Sequence, residues 1–339
     1  MWHTIGQPNA VSYLEKSVRG NLLSHAYLFV GPAHVGKATL AIDFARAVNC
    51  NEKKPPCGTC PSCLRILEGK HSDIETIGLN LDSSNKSQQE SSSRTEIGIK
   101  EIQELQRHAS LPPFEGNKKI FIIDGAENLS TEAANSILKI LEEPPPNVIW
   151  ILLSVEENKL LTTILSRCQK LELKPVASTE IEKTLISRFE FEEPDARLLS
   201  RLSGGCIGWA LTVSKDEKFL PQRSEKLEAL APLLTQGIEK RFDYVAQIDT
   251  RKAAREAINF WLTWWHDLML FKCNCSQYIA NVDYLSKIEE WAQYLDINEI
   301  KNFIVDLQHS LDYISKNANV HLVLEVLMLN MPGKGGARL

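Results

Sequence analysis

The stretch Gly31-Pro-Ala-His-Val-Gly36-Lys37 has the spacing of a loop that wraps phosphate. Its glycines let backbone amides turn inward around phosphate oxygens, and a helix starting at Lys37 would add partial positive charge. The Lys37 ammonium can reach the outer phosphates. The position after Lys37 normally carries the Ser or Thr hydroxyl that holds magnesium, and here it is Ala38. Thr39 is no ready substitute, because one residue along a helix rotates a side chain by about 100°. The loop can cradle phosphate, but its grip on a metal is impaired.

A second acidic feature bears on the same chemistry. Ile120-Phe-Ile-Ile-Asp124 reads as an apolar strand ending in a carboxylate that could orient magnesium water. Hydrolysis also needs a carboxylate to orient the attacking water, usually the next residue, and here that residue is Gly125. Glu127 lies three positions on, and a strand end gives no reason to aim it at the same point. Asp124 read alone is equally a turn-starting residue. Ala38 and Gly125 together describe a phosphate site that has lost hydrolysis.

Cys50, Cys57, Cys60 and Cys63 place four thiols in one short stretch. Four sulfurs suit tetrahedral zinc, and Pro55, Pro56, Gly58 and Pro61 supply tight turns between them. Such a site has no open position for water, so its expected role is structural. A Cys-x-x-Cys redox pair or uncoordinated thiols are the alternatives, but a redox pair leaves two of the four cysteines without a purpose.

These residues need elements to hold them. AYLFV (26–30) is a strand candidate running into the phosphate loop, and ATLAIDFARAVNC continues it as a helix. KIFIID (119–124) and NVIWILLS (147–154) are further strand candidates. Between them, Ala133, Ile137, Leu138 and Leu141 recur at helical spacing, and Pro144, Pro145 and Pro146 end that helix. Strands alternating with helices predict a parallel α/β sheet. After about Lys174 the strands stop. Short helices with a Gly204-Gly205 break are expected over 176–214, and helix from about Arg223 to the end. The segment 79–95 is polar and serine-rich, the composition of a surface loop.

A chain of 339 residues is long enough for two or three domains. No apolar run is long enough to span a bilayer, and the first residues lack the layout of a signal peptide, which predicts a cytoplasmic location. The net charge of −5 argues against a surface devoted wholly to nucleic acid.

The ordered landmarks resemble the clamp-loader subunits of bacterial DNA polymerase III, members of the AAA+ ATPases. HAYLFVGPAHVGKATLA, then AVNC and CGTCPSC, look like that family's phosphate loop with an inserted zinc module. LSTEAANSILKILEEPPPNVIWILLS, LSRCQ at 165–169 and NANVHLVLEVLMLNM at 317–331 resemble later family segments. The resemblance implies a RecA-like α/β domain with the zinc module over 1–175, a helical lid over 176–220 and an all-α oligomerising collar over 221–339. It implies gamma/tau-type motor subunits and a delta subunit as partners, with a sliding clamp and primed DNA reached through the complex. It also implies that Gly31, Gly36, Lys37 and Asp124 mark a nucleotide site, holding ATP or ADP weakly if at all.

Within the family, Ala38, Gly125 and AENLSTEAAN are similar to the delta-prime pattern rather than the hydrolysing gamma/tau pattern. The family's second-sensor arginine, expected in GGCIGWAL, is replaced by Trp209. By the same resemblance, Arg167 of Ser166-Arg167-Cys168 projects into a neighbour's ATP site. Residue physics alone would pair Arg167 with a surface carboxylate. An active motor subunit, or a stand-alone nucleotide- or zinc-dependent DNA-binding module, are the alternative functions.

Plainer readings serve elsewhere. Trp261, Trp264 and Trp265 repeat at helical spacing and belong to a core or subunit interface. Cys168 is a small packing residue, Cys273 and Cys275 are simple thiols, and His266 is a helix residue. Lys118 and Lys119 precede a strand and are expected in solvent.

Overall fold

The computed structural model describes residues 1–79, 96–235 and 237–333. Of the serine-rich segment expected to be a surface loop, residues 80–95 lie outside the described residues. The chain divides into two units, Met1–Ile181 with Gly205–Trp209, and Glu182–Gly204 with Ala210–Leu339.

The first unit is built on five parallel strands: β1 (Ala26–Val30), β2 (Ile74–Gly78), β3 (Lys119–Asp124), β4 (Val148–Ser154) and β5 (Gln169–Glu172). They lie in the order β2-β3-β4-β1-β5. Every residue of the central strands β1 and β4 is buried, which explains why both read as unbroken apolar runs. The three strands expected from sequence are present. β2 and β5 are half-exposed edge strands whose weak apolar character hid them.

Side chains alternate across this sheet. Tyr27, Phe29, Ile120, Ile122, Ile149 and Ile151 pack on one face against α1 (Pro8–Arg19) and α2 (Lys37–Val48). On the other, Leu28, Phe121, Ile123, Trp150 and Leu152 meet the helices α4 (Ile99–Ala109) and α5 (Thr131–Glu142). The short helix α3 (Pro61–Leu67) joins α2 to β2. Ser130 caps α5 by accepting a hydrogen bond from Ala133 N at 3.2 Å, worth about 1 kcal/mol. The helix stops at Glu142, just before the three prolines. Strand β1 lies between β4 and β5, so the loop leaving it opens at the point where strand order reverses, where ligands of open α/β sheets bind. A four-residue helix, α6 (Thr162–Leu165), precedes β5.

Beyond β5 only helices follow among the described residues: α7 (Ser178–Phe189), α8 (Glu193–Leu202), α9 (Ile207–Val213), α10 (Phe219–Thr235), α11 (Ile238–Val245), α12 (Arg251–Lys272), α13 (Leu285–Tyr294), α14 (Ile297–Ser315) and α15 (Val320–Asn330). In the second unit Trp261, Trp264 and Trp265 are at most 1% exposed, so the tryptophan repeat is core. Trp264 meets Trp291 edge-on at 5.0 Å, and Trp265 packs on Phe303 at 4.6 Å. No helix among the described residues is long and apolar enough to cross a membrane.

Lys119 departs from expectation. It is the first residue of β3, buried, and its ammonium donates to the His108 carbonyl at 2.8 Å. Pro112 stands where the i+4 amide donor to that carbonyl would be, leaving it a 3.3 Å bond from Leu111 N, and a long cationic side chain can reach back to it. Lys118 donates to Asn147 Oδ1 at the surface.

Candidate functional site

The phosphate loop takes its shape from two glycines with different duties. Gly31 abuts the end of β5, where an added Cβ would sit 2.4 Å from the Leu173 carbonyl oxygen. Gly36 stands at φ +107°, open backbone that a side chain rarely adopts, and starts α2 as its N-cap. Lys37 follows at the first helical position and is buried. Its ammonium is turned back on the loop, donating to the carbonyls of Gly31 at 2.7 Å and Pro32 at 2.8 Å. Ala38 and Thr39 are exposed.

Around Lys37 the charges are acidic. Burial lowers the Lys37 ammonium from its ordinary range, while Asp124, Glu127 and Cys206 pull it back up. Burial raises the Asp124 carboxyl, with Lys37 opposing the rise and Glu127 adding to it. The Cys206 thiol is raised by burial and drawn down by Lys37.

The charge of Glu127 thus acts on both Asp124 and Lys37, which the strand-end reading did not anticipate. Gly125, at φ +78°, folds the chain into a single 3-10 turn over Ala126–Asn128. That turn brings Glu127 Oε1 to accept from Val155 N at 3.2 Å, while its buried Oε2 has no hydrogen-bond partner among the described residues. The signal was a strand-end Asp-Gly, which announces a tight turn that swings a residue three positions on back over the strand ends. Ser154, at the end of β4, also has a buried, unpartnered hydroxyl, and its carbonyl accepts from Gly31 N at 3.2 Å.

At GGCIGWAL, Gly208 rather than Trp209 meets the phosphate loop. Gly208 N donates to the His34 carbonyl at 3.0 Å, and a Cβ at 208 would sit 2.7 Å from that oxygen. Trp209 packs half-buried against the core of the α2 face.

The four cysteines converge. Their sulfurs all lie within 4.8 Å of one another, with Cys57 and Cys63 at 3.9 Å. Zinc–sulfur bonds of about 2.3 Å in a tetrahedron require sulfurs about 3.8 Å apart, so the set fits with small adjustment. Cys50 follows the end of α2, and Cys60 is the N-cap of α3, its sulfur accepting from Cys63 N at 3.4 Å. Cys57 accepts amides from Thr59 at 3.5 Å and Cys60 at 3.3 Å, and Cys50 accepts from Cys57 N at 3.5 Å. Amides aimed at sulfur favour thiolates, the form a metal binds. Those of Thr59 and Cys60 hold Cys57 down at about 6, while burial pushes Cys63 up to about 12.

Arg167 lies between α6 and β5, partly exposed. Its guanidinium pairs with Glu142 at 2.8 Å and donates to the Thr163 carbonyl at 2.9 Å. Within the isolated chain this is the surface-carboxylate pairing that residue physics anticipates. Cys168 packs half-buried against the α4–α5 face.

Residues 6–177 match the family model described as DNA polymerase III, delta subunit. Residues 217–332 match the one described as DNA polymerase III, delta subunit, C terminal. The chain is 28% identical over 329 residues to DNA polymerase III subunit delta' of Bacillus subtilis, covering 95% of each. It is 36% identical over 217 residues to DNA polymerase III subunit tau of the same organism, covering 62% of this chain and 36% of that one. A gamma subunit-related protein of Thermotoga maritima superposes with a TM-score of 0.49 at 19% identity, covering 93% of this chain and 97% of that one. With a family model spanning half the chain and a second matching its helical C-terminal part, this protein belongs to the DNA polymerase III delta subunit family.

Proposed function

We propose that the chain is the delta-prime-type subunit of a DNA polymerase III clamp loader and hydrolyses no ATP of its own. The observation that carries this reading is the end-to-end match to a delta' subunit, set beside a match to tau that stops at about a third of that protein. The loop chemistry agrees with it. The backbone of a phosphate cradle is kept, yet Ala38 offers no hydroxyl and Gly125 no carboxylate, and Lys37 is engaged by loop carbonyls. Gly31, Gly36, Lys37 and Asp124 would then hold ATP or ADP weakly. Cys50, Cys57, Cys60 and Cys63 would hold a structural zinc.

In this reading the chain occupies the cytoplasm and completes a ring with gamma/tau-type and delta subunits. The ring opens a sliding clamp and places it on primed DNA. Arg167 acts in trans, where its planar, permanently charged fork stabilises charge on a neighbour's transferring phosphoryl group. The chain divides functionally into a phosphate-loop domain (1–175), a lid (176–220) and a collar (221–339). One feature favours the motor alternative, the negative charge of Glu127 acting on Asp124 and Lys37.

Two measurements test the proposal. The isolated chain should show no ATPase above background, and Ala38→Thr should not create turnover. Reconstitution with tau-type and delta subunits should give a complex that loads clamps only when this chain is present. Robust hydrolysis by the isolated chain, abolished by Lys37→Ala, would overturn the reading in favour of the motor.

A further inference from the structure

Arg46 has no part in the phosphate site or the proposed arginine contact, yet it is 1% exposed. It stands on α2 four residues before Cys50, on the side of the helix that meets the cysteine cluster. Its Nη1 donates to Asp43 Oδ1 at 3.0 Å and lies 3.3 Å from His3 Nδ1. Its Nε is buried with no hydrogen-bond partner among the described residues. Its Nη2 lies against the loop between Cys57 and Cys60, only 3.3 Å from where a Cβ on Gly58 would stand. The main chain of Arg46 touches the cluster too, its carbonyl oxygen lying 3.9 Å from Cys63 Sγ.

A guanidinium taken out of water needs compensating negative charge. Asp43 is its carboxylate partner, but Asp43 Oδ2 is already engaged by Thr4 N at 2.8 Å, Thr4 Oγ1 at 2.8 Å and His3 N at 2.6 Å. That carboxylate serves four donors and reaches Arg46 only at Nη1, which leaves Nε and the Nη2 side of the guanidinium to other neighbours. Four thiolates around one divalent zinc carry a net charge of −2, and Cys50 and Cys63 are buried. A buried guanidinium whose Nη2 side borders the thiolate cluster and a centre with surplus negative charge answer each other.

We propose that Arg46 is the counter-charge of the four-thiolate metal centre, a positioning residue whose guanidinium supports the Gly58 loop and offsets the charge of the metal-bound sulfurs. Asp43 orients it and ties the segment His3–Thr4 to the same assembly. Gly58, at φ +83°, is glycine both for that backbone conformation and because a side chain would press on Nη2. The inference rests on the reading of the four cysteines as a zinc site.

The test uses the full chain, with Arg46→Met and Arg46→Lys loaded with zinc and, separately, with cobalt. Zinc affinity is read by competition with a chromophoric chelator, and the sulfur-to-cobalt charge-transfer band reports the thiolates directly. Partners of metal ligands outside the coordination sphere commonly change affinity by about 10- to 100-fold. Arg46→Met should weaken zinc by about that factor, shift the cobalt band and shrink the rise in melting temperature that zinc produces. Arg46→Lys, which keeps the charge but cannot span from Asp43 to Gly58, should fall between. If Arg46→Met does not fold, Arg46→Lys decides the question. Variants that hold zinc within about twofold of the wild type, with an unshifted cobalt band, overturn the proposal even if they are less stable. Absence of metal binding by the wild-type chain itself would instead refute the zinc reading beneath it.

Discussion

Replacing Arg167 with Ala separates what this arginine does within the chain from the role proposed for it at a neighbour's site. Within the chain it makes one ion pair with Glu142 at 2.8 Å and bonds to the Thr163 carbonyl and the Ser166 hydroxyl, with the two paired side chains 34% and 52% exposed. Pairs so exposed are screened by water and contribute about 0–1 kcal/mol. Arg167→Ala should therefore cost the isolated chain less than about 1 kcal/mol and leave its assembly intact. The same low value means that a neighbour's phosphates can draw the guanidinium off Glu142 at little cost. An arginine supplied in trans is worth about 10³–10⁵ in rate at the site it serves, so that single site should fall nearly silent in the mutant complex. Total hydrolysis should drop by that site's share, and clamp loading by more if the ring needs every site. Arg167→Lys should rescue poorly, since an ammonium lacks the planar fork. Glu142→Gln, which releases the arginine without removing it, should leave hydrolysis at or above the wild-type rate. The assay is steady-state ATPase and clamp loading by reconstituted complexes, with assembly checked by size-exclusion chromatography. Assembled Arg167→Ala complexes working at the wild-type rate would refute the trans role. A stability loss well above 1 kcal/mol in the isolated chain would refute the surface-pair estimate.

Other outcomes follow from the same structure. Elemental analysis of reduced protein should find about one zinc per chain, and Cys60→Ser should lose it and lower the melting temperature, even though a serine hydroxyl can still cap α3. In zinc-stripped protein the Cys57 thiol, held at about 6, is mostly thiolate at pH 7, whereas Cys63, pushed to about 12, is protonated. Mass spectrometry after brief iodoacetamide treatment should then find Cys57 modified first. Its labelling should slow as pH falls through about 6, and equal labelling of the two would contradict the amide contacts. Trp264→Ala empties a fully buried site packed on Trp291 and should cost about 3–5 kcal/mol in chemical denaturation. A cost under 1 kcal/mol would mean that this helix face is not core.

Some of this protein was legible in one dimension because the signals are local. A glycine spacing, a strand ending in Asp124, four cysteines in fourteen residues and a tryptophan repeat are each set by neighbours along the chain. Local periodicity likewise located β1, β3, β4 and α5, whose burial is strong enough to leave an unbroken or regular apolar pattern. The absent groups at Ala38 and Gly125 were legible for the same reason, since a missing side chain needs no partner to be noticed.

What only the tertiary structure decided depends on residues distant in sequence. Lys119 is buried because the end of α4 offers its ammonium a carbonyl, and a count of charged residues before a strand cannot show that. The charge of Glu127 acts on Lys37 and Asp124 because a left-handed glycine turns the chain back over the strand ends. Gly208, rather than Trp209, meets the loop because backbone reaches the His34 carbonyl where no Cβ would fit. Arg46 is ordinary in a helical pattern and becomes unusual only when α2 is laid beside the cysteine knuckle. Long-range proximity, and the loss of water that comes with it, changes what a charged side chain can do, and neither is written in the spacing of residues along the chain.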